Sequence, residues 1–126
     1  MKDFEKWIKK AESDLLNIQN NLNAAKTPAD TCCFHTQQAA EKYLKSYLTS
    51  KNISFPKTHD LELLLRLCKV ENNRFKELEN NCRELFNHAI IPRYPDDIHE
   101  LTIADAQQAY KNAITIKEFI LKYFFD

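Results

Sequence analysis

Apolar residues recur along this chain at spacings of three and four, the signature of helices that bury one face. Phe4, Trp7, Ile8, Ala11, Leu15, Ile18, Leu22 and Ala25 fall within about a third of a helical circumference, opposite Lys, Glu, Asp and Asn, which predicts a first helix over residues 3–26. Pro28 separates it from the next element, because proline lacks an amide hydrogen and restricts Thr27 before it. A second helix follows from Asp30 to Lys51, with Cys33, Ala40, Leu44, Tyr47 and Leu48 sharing an apolar arc. Asn52 to Lys57 is a connector in which Pro56 holds Phe55 extended, and Thr58 is placed to cap a third helix. That helix, His59 to Val70, carries Leu61, Leu64, Leu65 and Cys68 on one face, with Asp60 and Glu62 in its first turn, where the helix dipole favours acids. A fourth, after Asn73, aligns Phe75, Leu78, Cys82, Leu85 and Phe86. The stretch IIPRYPDD, Ile90 to Asp97, cannot continue it, because two prolines bracket Arg93 and Tyr94. The last helix begins near Thr102 and offers Ile103, Ala106, Tyr110, Ala113, Ile114, Ile120, Leu121 and Phe124 for burial.

The second helix breaks the rule that polar residues lie opposite the apolar arc. Gln37 and Glu41 project inside it, where an unpaired amide or carboxylate is strongly unfavourable. They require partners or a ligand. Lys45 continues the row at the next turn, and Glu41 preceding Lys45 by four is the favourable orientation for a helical ion pair. The row reads as the wall of a polar cleft between helices, with an ordinary solvated face as the alternative. Glu41 is expected to be buried or half-buried and bonded to a residue of the later THDL or RYPD stretches.

The chain has 126 residues, the size of one domain with a single core, so residues 1–126 are taken together. With no glycine, tight hairpins and glycine-rich phosphate loops are excluded. The fold class expected is all-α, an up-and-down antiparallel four-helix bundle with one extra short helix. Eighteen basic and eighteen acidic residues cancel, so overall charge makes no case for nucleic acid or membrane. Locally, Phe34 to Thr58 holds four lysines against the single Glu41, a modest positive field. Cys32, Cys33, Cys68 and Cys82 lack zinc-ligand spacing and read as buried free thiols. His35 and His99 likewise lack metal-ligand partners in sequence, and no metal or cofactor is expected. The opening MKDFEKW is not an apolar leader and no apolar run nears membrane length, so a cytoplasmic protein is expected. Tyr43, Tyr123 and Phe125 are candidates for an exposed aromatic surface at a dimer interface.

The sequence FHTQQAAEKYLKSYL, followed by KTHDL and later by PRYPDD, resembles the HEPN family across nearly the whole chain. The resemblance implies an antiparallel bundle of four to five helices, usually a homodimer, associated with nucleotides or RNA. It also implies one of two functional groups. Some members are metal-independent ribonucleases, often toxins of toxin-antitoxin pairs, that use an Arg-x4-6-His motif brought together across the dimer. Others lack that motif and act as partners of small nucleotidyltransferases.

Arg83 and His88 match the ribonuclease motif as a string. In such chemistry a histidine moves the proton of an RNA 2′-hydroxyl while an arginine stabilises the charge on phosphorus. On one continuous helix, however, residues five apart diverge by about 140°, so a single protomer cannot aim both into one cleft. The place close before Tyr94, where the family's catalytic histidine sits, is occupied by Ile91, Pro92 and Arg93. Arg93, Tyr94 and Asp96 sit in a proline-bracketed loop and read either as ligand contacts or as a structural lock in which Arg93 pairs with Glu41. His59 and Asp60 open a helix whose amides could receive phosphate, with helix capping the alternative. The candidate ligand-binding set is therefore Gln37, Glu41, Lys45, His59, Arg93, Tyr94 and Asp96, with Arg83 and His88 the alternative catalytic pair.

Overall fold

A computed structural model describes residues 2–24, 26, 28–90 and 101–125. Among them are five α-helices and no strand: α1 (Asp3–Leu22), α2 (Ala29–Ser50), α3 (Leu61–Glu71), α4 (Glu79–Ile90) and α5 (Ile103–Phe125), with a 3-10 helix over Asn73–Leu78 leading into α4. The all-α antiparallel bundle expected from the pattern is the fold observed. The side-chain pairings give the directions. Asp14 meets Lys42 and Trp7 meets Lys45, so α2 descends as α1 rises. Glu84 meets Asn112 and His88 approaches Asp105, so α4 and α5 are antiparallel as well.

α2 is the central helix, packed against every other helix of the bundle. Thirteen of its 22 residues are buried, far more than one apolar arc supplies. Tyr43, expected at the surface, is instead wholly enclosed near Glu12 of α1 and Tyr110 of α5, because α2 has neighbours on both sides. Alanines at positions 39 and 40 of α2 and at 106, 109 and 113 of α5 keep those two helices slim where they pack together. At one end of the bundle Tyr47, Phe75, Phe119 and Tyr123 form a chain of rings 4.5 to 5.1 Å apart, fastening the 3-10 helix to α2 and α5. Tyr123 thus belongs to the partly buried core, and the side chain of Phe125 lies outside the described set.

The element ends depart from the sequence pattern for local reasons. α1 stops at Leu22, with Asn23 as its C-cap, short of the predicted residue 26. α3 is capped by Asp60, whose carboxylate accepts from the Leu63 amide at 3.1 Å, while Thr58 accepts from the Asp60 amide one step earlier. Asp60 wins because a carboxylate suits an N-cap at least as well as a hydroxyl and is stabilised by the dipole. The predicted fourth helix starts as a 3-10 helix, in which Asn72 accepts from the Arg74 amide. Thr102 and Asp105 close a reciprocal capping box on α5, at 2.9 and 3.1 Å. Ile103, in that first turn, is half-exposed instead of buried, and Ala109 and Ile116 take up the core face.

All four cysteines are buried and free. Burial pushes the Cys82 thiol up to about 12, and the Cys33 thiol also to about 12 with help from nearby Asp105. The reactive thiolate is thereby suppressed in the folded state. The native protein is expected to be nearly inert to an aromatic disulfide reagent at pH 8 and to release four equivalents of thiol once unfolded in guanidinium. Rapid labelling of two or more cysteines without denaturant would contradict the packing described.

Candidate functional site

The polar row predicted on α2 is buried as a unit: Gln37 is 8%, Glu41 1% and Lys45 7% exposed. Two other buried polar side chains of α2 satisfy themselves locally. Thr36 and Ser46 each donate to the carbonyl three residues back, at 2.6 Å. Glu41 reaches further. Its Oε1 accepts from Gln37 Nε2 at 3.3 Å, and its Oε2 lies 3.0 Å from His59 Nδ1, in the segment leading into α3.

The chain delivers His59 there through two backbone devices. At the end of α2 the Ile53 amide bonds to the Leu48 carbonyl at 2.9 Å and the Asn52 amide to the Thr49 carbonyl at 3.1 Å. This is the Schellman arrangement, with Asn52 at φ 58° in the left-handed place usually given to glycine. Asparagine tolerates that conformation better than most residues, and this chain has no glycine to use. Ile53, packed on the core, then turns the connector back along α2. Asp60 fixes the start of α3, which leaves His59 outside the helix and beside Glu41.

The two partners sit in opposite environments. The Glu41 side chain is 2% exposed and the His59 ring 78% exposed. A carboxylate only accepts hydrogen bonds, so ionised Glu41 places a proton on Nδ1 and leaves Nε2 as the ring's unengaged nitrogen. Burial pushes the Glu41 carboxyl up from the ordinary carboxylate range; the bond and charge of His59, the Gln37 amide and the Lys45 ammonium oppose this without cancelling it. Lys45 is pulled down by burial, with the charge of Glu41 opposing. Gln37 Oε1 is enclosed without a hydrogen-bond partner among the described residues, an acceptor left over in a buried polar row.

Trp7 adds an aromatic wall that the sequence pattern assigned to plain core. The Lys45 ammonium lies 5.3 Å and that of Lys10 5.5 Å from the centre of its ring, and Phe55 of the connector stands 6.5 Å away. Such cation–aromatic contacts explain how a buried lysine is tolerated. The spacing of Trp7 and Lys10, one helical turn apart, was the one sequence signal that could have drawn attention to it.

Arg93, Tyr94, Asp96 and His99 lie outside the described residues. Arg83 and His88 stand on an unbroken α4 and serve different surroundings. Arg83 is exposed and its Nη1 donates to Asn80 Oδ1 at 3.3 Å, whereas His88 is half-buried, 4.0 Å from Asp105 at the start of α5. One protomer does not bring the two together. His35 is half-buried, 3.6 Å from Asp14 of α1. Among the described residues no three His, Cys, Asp or Glu side chains are grouped to hold a metal ion, and no helix is long and apolar enough to cross a membrane.

The raised Glu41 carboxyl has a definite linkage sign. A native acid whose affinity for its proton exceeds that of the unfolded chain makes stability fall as pH rises, from the ordinary glutamate value of about 4.3 up through the native value. Glu41→Gln removes this titration along with the charge. The difference in melting temperature between wild type and variant should therefore narrow or reverse between pH 4 and pH 7. A gap that instead widens in favour of wild type would mean that the ion pair with His59 outweighs burial.

The HEPN domain family model matches residues 4–123. A crystal structure of an archaeal HEPN homologue superposes with a TM-score of 0.76 at 28% identity, covering 98% of both chains. A candidate toxin of Methanocaldococcus jannaschii is 29% identical over 129 aligned residues, covering 90% of this chain and 83% of the relative. A glutamate–tRNA ligase of Buchnera aphidicola is 39% identical over 57 residues, where this chain spans 12% of the ligase's length. With the family model running through all five helices and the architecture shared end to end with the archaeal homologue, the chain belongs to the HEPN domain family.

Proposed function

We propose that this chain binds a nucleotide or RNA at the rim where α2 meets the start of α3, and that it works as a homodimer and as the partner of a small nucleotidyltransferase. The observation that carries the reading is the exposed His59 ring anchored by a carboxylate that the core has enclosed. A surface histidine that only caps a helix needs no such anchor. Held by Glu41, the His59 ring, when protonated, presents Nε2–H to a phosphate oxygen. Gln37 and Lys45 support the pair from behind. Arg93, Tyr94 and Asp96, singled out by the RYPD motif, are assigned to the same ligand set. The nucleotidyltransferase partner is inferred from the sequence resemblance to members of that group.

A second reading, a metal-independent ribonuclease using Arg83 and His88, is favoured by the similarity to the archaeal candidate toxin. It requires the dimer to gather what one protomer separates.

The first reading is tested by titrating the protein with AMP and with a single-stranded RNA octamer. His59→Ala should weaken binding about tenfold, roughly 1.4 kcal/mol, measured at a temperature where the variant stays folded, since the loss of the partner of buried Glu41 also lowers the melting temperature. Unchanged binding of both ligands would remove His59 from the site. Arg93→Ala, if it lowers the melting temperature and leaves binding intact, would make Arg93 a structural lock. The ribonuclease reading demands cleavage of single-stranded RNA in EDTA, abolished by Arg83→Ala and by His88→Ala; a pure dimer without such cleavage overturns it.

A further inference from the structure

Between α1 and α5 runs an open groove of about 650 Å³ that the site on α2 does not use. Among the described residues Phe4 and Ile8 of α1 and Leu121 and Phe124 of α5 give it an apolar floor, each of them only half-buried. The rings of Phe4 and Phe124 stack at 4.8 Å and join the two helices. Glu5, Lys9 and Glu12 form its rim and are exposed. At about 100° per residue these three charges fall within about 60° of the circumference of α1, beside the apolar strip. Lys2 extends the rim, its ammonium 5.9 Å from the centre of the Phe4 ring. Glu5 and Lys9 are four apart in the order that favours a helical ion pair and still do not form one. Among the described residues none of the four has an opposite charge within ion-pair distance.

We infer that this groove is where two copies of the chain meet, with α1 antiparallel to α1 of the other copy about a twofold axis level with Trp7, and Glu5 of each copy facing Lys9 of the other. The inference rests on the homodimer of the proposed function and assigns it a surface. Its basis is the order of the rim charges. Lys2, Glu5, Lys9 and Glu12 alternate in sign at intervals of three, four and three residues, and a row of that kind read backwards is its own complement. A twofold contact is isologous, each residue meeting its counterpart twice, so self-complementarity is what such a contact requires. Two parallel α1 helices would set Glu5 against Glu5 and Lys9 against Lys9. An antiparallel axis level with Lys9 sets that lysine against itself, and one between Ile8 and Lys9 sets Glu5 against Glu12. An axis between Lys10 and Ala11 pairs Lys9 with Glu12 but turns Glu5 onto the exposed Leu16. Only the axis level with Trp7 pairs all four, Glu5 with Lys9 and Lys2 with Glu12. The same axis seats Ile8 of each copy between the levels of Phe4 and Ile8 of the other, so the apolar strips interdigitate beneath a charged rim. An apolar small molecule would leave the rim charges unmatched. A foreign helix would need the alternating pattern that α1 already carries.

The experiment is sedimentation velocity on the full chain over a concentration series, at low and at physiological salt. Glu5→Lys should weaken the dimer about tenfold or more, because like charges then face each other at both symmetric contacts, and Lys9→Glu should do the same. Mixed in equal amounts, the two variants should recover a dimer as tight as wild type, since lysine then meets glutamate at both contacts. Both positions are exposed, so each variant should keep the wild-type melting curve by circular dichroism. Single variants that dimerise like wild type would overturn the interface and leave the homodimer of the proposed function standing. Variants weakened alone that do not recover on mixing would overturn the facing of Glu5 and Lys9, and the proposal with it. Wild type that stays monomeric from nanomolar to high micromolar concentration would overturn the homodimer and this surface together, while nucleotide binding at His59 is judged by its own titration.

Discussion

The enclosure of a carboxylate inside the central helix is the constraint from which the rest of the site follows. α2 is surrounded by α1, α3, α4 and α5, so a polar residue on it has almost nowhere to meet water. Leaving Glu41 ionised and unpartnered there would be strongly unfavourable. The fold resolves this by bringing a histidine to it from the solvent side and an amide from its own helix. A hydrophobic residue at position 41 would pack as well and need no partner. Retaining a carboxylate therefore ties the connector to α2 and fixes the orientation of one exposed imidazole, a specific outcome that apolar packing alone does not give.

That outcome depends on backbone geometry as much as on side chains. The Schellman turn at Asn52 reverses the chain, Ile53 seats it on the core, and Asp60 stops His59 from being absorbed into α3. Each device is local and each uses a residue suited to it, which is why the eight residues between Ser50 and His59 suffice to deliver a side chain to within 3.0 Å of its partner. One other helix pair is joined by a part-buried polar contact in the same spirit. Asn112, almost fully enclosed, accepts from Asn81 at 3.0 Å and donates to Glu84 at 2.7 Å, holding α4 to α5.

Much of this was legible in the residues. The misplaced polarity of Gln37 and Glu41 was visible because a 3.6-residue period makes any intruder on the apolar arc conspicuous. Its need for a partner pointed to the THDL or the RYPD stretch, and the bond to His59 falls in the first. Tyr43 was not legible: periodicity on one helix shows which face is most apolar, not how many neighbours the helix has, and α2 is covered well beyond its arc. Trp7 was hidden for the opposite reason, since a tryptophan in an apolar stripe looks like core until the lysines over its ring are placed. Ile103 fits the stripe of α5 but falls in its first turn, at the edge of the packed region. That Arg66 of α3 and Arg83 of α4 line one cleft could not be read at all, because the two helices come together only through tertiary packing.

Zero net charge carries a misleading message about such a molecule. Electrostatic recognition responds to potential within about a Debye length, roughly 8 Å at physiological salt, not to the sum over the chain. Here acids and bases are paired selectively. Asp14 takes Lys42, Glu79 takes Lys69, and Glu41 takes His59. These pairings take particular acids out of play, while among the described residues Arg66 and Arg83 have no carboxylate within ion-pair distance. A neutral bundle can in this way hold local positive charge without the non-specific adhesion that a basic surface would bring, because local potential depends on which cations the fold leaves unmatched and not on how many the sequence contains.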